Sequence, residues 1–132
     1  MSNGTIFCND GLKVMLNRFF KAVPDYTAPS LFAVGTGTNT PVVTDSDLQT
    51  PVDITTGVQT KVFVSGYPTL DETNLQGRVR MFLNSLEANG NSISEVGIKN
   101  SDATKKLIAR SVFTAISKTA ATEVSFVWVF KQ

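Results

Sequence analysis

From Glu123 to Lys131 the chain sets Val124, Phe126, Trp128 and Phe130 against Glu123, Ser125, Val127, Val129 and Lys131. A period of two this regular is satisfied by an extended strand whose large side chains share one face. Val127 and Val129 are apolar too, so the strand is expected to be covered on both faces near its middle. One cover is the core, and the other is a helix or another subunit.

The rest of the chain carries more of the same signal. Ser30–Val34 reads as a buried strand running into Gly35-Thr36-Gly37-Thr38, and Val52, Ile54, Val58, Val62 and Val64 lie in a β-rich stretch closed near Gly66-Tyr67-Pro68. Val79, Met81 and Leu83 alternate with Arg78, Arg80 and Phe82. Turn residues Glu87–Asn91 and the strand Ser92–Ile98 follow, so the two segments are expected to form a hairpin. Arg78 and Arg80 are expected to pair with Glu95 or Glu123 across strands. After a polar turn, Leu107–Phe113 returns as another strand.

One segment breaks the period. Leu12, Met15, Leu16, Phe19, Phe20 and Val23 recur at intervals of three and four, which predicts a helix whose apolar stripe covers one side of the sheet. Docking of that stripe against another subunit is the alternative. Asn9 or Asp10 is expected to cap its start, and Pro24 to end it. The predicted fold is therefore mainly β, an antiparallel β-sandwich or barrel with one N-terminal amphipathic α-helix packed on it.

At 132 residues, 42% of them apolar, the chain forms one domain with one core, residues 1–132. Residues 1–8 are a possible N-terminal arm. No Lys or Arg falls between Lys21 and Lys61, and 36–50 is rich in Thr, Gly, Asn and Asp, a candidate contact loop. With 12 basic against 11 acidic residues, nothing draws the chain toward nucleic acid or an anionic membrane. No apolar run spans a bilayer and Met1–Gly4 lacks the pattern of a signal peptide, so a soluble cytosolic product is expected.

The chain has no histidine, which removes the usual general base and the commonest metal ligand. No catalytic residue, cofactor site or metal site is assigned, and the chain is read as a non-enzyme. Asp45, Asp47 and Asp53 fit no calcium-loop spacing. Gly35-Thr36-Gly37 lacks the lysine and helix of a phosphate loop and reads as a glycine turn. Lys99, Lys105, Lys106, Arg110 and Lys118 read as a solvated face or an intersubunit patch. Cys8, the one cysteine, reads as a small semi-buried apolar residue.

Seven short motifs stand in this order along the chain: Ala33–Thr38 (AVGTGT), Asp47-Leu48, Leu86–Gly90 (LEANG), Ile93–Ile98 (ISEVGI), Ala109–Phe113 (ARSVF), Ile116–Thr119 (ISKT) and Glu123–Trp128 (EVSFVW). From about residue 9 onward the chain resembles small structural proteins of tailed-bacteriophage virions, of the type associated with tail fibres and baseplates. The resemblance implies a structural component of the virion, assembled in the host cytoplasm, whose partners are other copies of itself and other virion proteins. A trimer or hexameric ring is expected by analogy. Capsid decoration is the alternative within that class. A receptor-binding or carbohydrate-binding module, with Tyr26, Tyr67 and Trp128 as its aromatics, is the alternative outside it. Glu95, with Arg110 as a possible partner, reads as a hydrogen-bonding or salt-bridge group, and the motifs as folding devices. Candidate assembly contacts are Thr36, Gly37, Thr38, Asp45, Asp47, Glu95 and Arg110.

Overall fold

The structure, a computed structural model, describes residues 4–131. Its elements in chain order are β1 (Thr5–Phe7), α1 (Asn9–Phe20), β2 (Pro29–Gly35), β3 (Lys61–Val62), β4 (Thr69–Asp71), β5 (Gln76–Leu83), β6 (Asn91–Asn100), β7 (Leu107–Lys118) and β8 (Val124–Lys131). They build two antiparallel sheets, β1-β7-β6-β2-β3 and β4-β5-β8. The expected sandwich with one helix is what forms. One core joins the sheets: Phe32, Val34, Ile93, Val96, Ile98 and Ile108 from the first meet Val79, Met81, Leu83 and Val124 from the second.

The expected hairpin between Arg78–Leu83 and Ser92–Ile98 does not form. β5 pairs with β4 and β8, whereas β6 pairs with β2 and β7, so residues 84–90 cross from one sheet to the other. The reason lies in burial: β6 is buried from Ile93 to Asn100, on both faces, and occupies the centre of the larger sheet. Arg78 and Arg80 therefore never reach Glu95; Arg80 Nε donates instead to Ser125 Oγ at 3.2 Å. The valine-rich stretch from Val52 to Val64 supplies only the short β3 and one isolated bridge, between Thr55 and Val58.

The helix reverses a second expectation. Its start is capped by the Cys8 position with no side-chain hydrogen bond, so neither Asn9 nor Asp10 serves as the cap. The residues it buries are Gly11 and Val14, not the large apolar stripe. Gly11 lies against the Ile108 backbone so closely that a methyl group there would run into the Ile108 carbonyl. That small seam brings the helix axis onto β7 and turns the bulky side chains away. Phe19 and Phe20 are 78% and 75% exposed, and Leu12, Met15, Leu16 and Val23 are exposed beside them.

The proposed N-terminal arm is partly corrected too. Thr5–Phe7 pair with Ser111–Ala109 of the same chain, and Cys8 is buried, so residues 5–8 belong to the body; residues 1–3 of that arm lie outside the described residues.

Candidate functional site

The 36–50 loop does not project freely. It folds back over the larger sheet, and the side chain that holds it there is Glu95, which has no exposed surface. Glu95 Oε2 accepts hydrogen bonds from the Gly37 and Thr50 amides at 2.7 and 2.8 Å, and Oε1 accepts from the Gln49 amide and from Arg110 Nε, both at 2.9 Å. Arg110, 1% exposed, reaches on to Asp45 Oδ2 at 3.0 Å and Asn39 Oδ1 at 2.6 Å. Ser94 Oγ donates to the Gly37 carbonyl, and Gln49 Oε1 accepts from the Thr38 and Asn39 amides. A buried carboxylate is tolerable only with such a full set of donors and a paired cation.

This network explains Gly35-Thr36-Gly37. Neither glycine has a left-handed φ; each is needed because a Cβ there would collide with the Glu95 carboxylate. The motif is thus no mere glycine turn: it lets loop backbone approach a side chain donated by a strand far along the chain. Next to it Leu48 plugs the space over Gly97, packed with Cys8, Ala33 and Leu107. The loop also ties down the helix start, where the Asn9 amide donates to the Val43 carbonyl.

A second polar knot joins two more motifs. Lys118, fully buried, donates from Nζ to Asn89 Oδ1 at 2.7 Å and to the Thr119 carbonyl, while the Gly90 amide donates to the Lys118 carbonyl. Glu87 accepts from Lys61 Nζ at 2.7 Å and from the Asn84 amide. Nothing in the local sequence marks Lys118 as buried, since its partner sits in a turn that only the fold brings near.

Of the residues expected to make assembly contacts, Gly37, Glu95 and Arg110 are buried and bonded within the chain, so that reading is corrected for them. Thr36 is half-buried, with its amide bonded to the Thr50 carbonyl. Asp45 is held by Arg110. Thr38 stays at the exposed rim, as does Asp47, whose carboxylate meets Lys99 Nζ at 2.7 Å. The expected basic patch dissolves as well, because Lys99, Arg110 and Lys118 are buried. Asp53 accepts from the Gly57 amide, so the three aspartates weighed for calcium bind three separate partners. Among the described residues no cluster of metal-ligating side chains is found. Burial, reinforced by the charges of Asp45 and Asp10, pushes the Cys8 thiol up to about 11, which leaves it protonated and inert at neutral pH.

With Glu95, Arg110 and Lys118 turned inward, the helix face and two crevices stand out at the surface as apolar. Beneath the exposed helix face runs a crevice of about 440 Å³ lined by Phe7, Val14, Met15, Phe19, Ile108 and Phe130. A second groove of about 580 Å³ separates the β1–β7 side of one sheet from β8 of the other, with Trp128 and Phe130 on its wall. Among the described residues nothing covers β8 on its outer face: Val127 is 59% exposed, and the helix lies on β7 instead. The exposed helix stripe was legible as apolar, and Gly11 in its midst was the one signal of which side would touch the sheet. Comparison of the chain with family models, with curated proteins and with solved structures found no match.

Proposed function

We propose that this chain is a structural component of a tailed-bacteriophage virion, associated with the tail, baseplate or fibres and acting through contacts between subunits. The observation that carries the assembly part is the outward helix face, where Phe19, Phe20 and Val23 are each more than 70% exposed beside an apolar crevice. Large contiguous apolar surface of this kind marks a site of association. The order of the seven motifs is what points to the virion.

Burying those three side chains would contribute roughly 5–8 kcal/mol. Association itself costs about 4–15 kcal/mol, so the helix face needs further contacts to hold an assembly. The ionisable residues of the motifs other than Glu123 are engaged in holding the loop and the turns, a role suited to a rigid building unit. Immunogold labelling of intact particles in negative stain tests the reading, together with particle incorporation of a Phe19→Ser/Phe20→Ser variant. Label at the tail and loss of incorporation with unchanged folding are expected. Label over the head would replace the tail by capsid decoration, and absence from particles would end the proposal.

A further inference from the structure

The unpaired side of β8 carries an interaction geometry of its own. β8 lies at the edge of its sheet and pairs only with β5 among the described residues. The orientation of its backbone follows from β5. The Arg80 carbonyl accepts from the Val64 amide and the Phe82 carbonyl from Lys61 Nζ, so these residues point away from β8. Along a strand the N–H and C=O of one residue point the same way, and alternate residues point oppositely. Val79, Met81 and Leu83 therefore bond to their partners Trp128, Phe126 and Val124. Ser125, Val127, Val129 and Lys131 are left with amide and carbonyl groups directed at the open edge.

Among the described residues nothing guards that edge. Natural edge strands are protected by proline, bulges or inward-pointing charge. β8 has no proline, an unshifted register along β5, and no charge before Lys131. Its free backbone groups call for another strand, and its end charges indicate which. In an antiparallel pair about a two-fold axis through Val127, Ser125 faces Val129 of the second copy and Glu123 faces Lys131, at both ends. Moving the axis to Phe126 or Trp128 leaves Glu123 opposite no cation. The alignment of opposite charges thus selects both the occupant and the register.

We propose that β8 is the interface of a symmetric dimer in which two copies join their three-stranded sheets edge to edge, with Val127 on the two-fold axis. The proposal deepens the assembly reading above by naming one contact and its partner, a second copy of this chain. About six backbone hydrogen bonds would form within β8, two for each of the three outward-directed pairs Ser125–Val129, Val127–Val127 and Val129–Ser125. Such a contact is closed, so β8 stops recruiting copies once it is paired.

Sedimentation velocity and native mass spectrometry of the full chain test the proposal. The wild type is expected to be dimeric at micromolar concentration. Val127→Pro removes an amide that points outward, so the β5 ladder survives and the dimer is lost. Glu123→Lys and Lys131→Glu, each turning two attractions into repulsions, are expected to weaken the dimer roughly tenfold, and the double variant to restore it. The charge swaps lie outside the core and decide the matter if Val127→Pro fails to fold. Val127→Cys is expected to cross-link to itself on oxidation, because facing Cα atoms in a hydrogen-bonded pair are ~5.5 Å apart. Buried Cys8 takes no part. A monomeric wild type overturns the proposal, as does an oligomer indifferent to Val127→Pro and to the charge swaps. Cross-linking of Val127→Cys to Val129→Cys in preference to itself overturns the register. A monomer that still labels at the phage tail would remove this contact and leave the virion assignment standing; a dimer absent from particles would do the reverse.

Discussion

Replacing Glu95 by glutamine should be among the most damaging nearly isosteric changes in this protein. Each carboxylate oxygen accepts two hydrogen bonds: Oε2 from Gly37 and Thr50, Oε1 from Gln49 and Arg110. A carboxamide keeps one acceptor oxygen, and its NH2 group must face the other two donors. Two buried donors are then unsatisfied, at about 1–3 kcal/mol each. The same change breaks a buried ion pair, which from mutational data costs about 3–5 kcal/mol. Both routes converge near ~4 kcal/mol, a large share of the 5–15 kcal/mol that typically holds a domain together. Unfolding entropy of about 2.1 cal/mol/K per residue, taken over 132 residues, converts this into a fall in Tm of about 14 °C. Urea denaturation followed by Trp128 fluorescence gives the free energy, and hydrogen exchange at the Gly37, Gln49 and Thr50 amides reports the loop directly. A loss below about 1 kcal/mol with protection unchanged at those amides would refute the idea that this carboxylate holds the loop.

Two kinds of glycine should separate in the same assay. Gly37→Ala is expected to cost about 1–3 kcal/mol through collision with Glu95 and Gln49. Gly57→Ala meets open space and is expected to cost only about 1 kcal/mol for its left-handed φ of 74°; equal or reversed effects would contradict the close-approach reading. Asn89→Ala leaves Lys118 Nζ with the Thr119 carbonyl as its remaining acceptor. A loss of roughly 1.5–3 kcal/mol is expected, and a neutral result would mean that water replaces the amide. Native Cys8, buried and with its thiol held near 11, should resist iodoacetamide at pH 8 until the chain unfolds. Labelling at the rate of a free thiol would show that the helix start opens.

Much of the architecture was legible because periodicity is a local property. The alternation from Val124 to Phe130 gave β8 and its core face, and Leu107–Phe113 gave the first part of β7. Turn chemistry was less informative. Glu87–Asn91 serves a crossover as well as a hairpin, and only the burial of β6 on both faces chose between them. The pairing of Glu95 with Arg110 was anticipated from residue type, but the loop amides that complete it lie more than 40 positions away.

What the amino-acid order determined alone was the inventory: a mainly extended chain, one short helix with an apolar stripe, a polar loop, no histidine chemistry. Tertiary structure decided orientation. Gly11 rather than the phenylalanines meets β7, Gly35 and Gly37 receive a carboxylate rather than make a turn, and three basic residues expected at the surface are inside. Periodicity states that a face is apolar, whereas which face is buried depends on how closely two backbones approach, and that distance is set by residues remote in sequence.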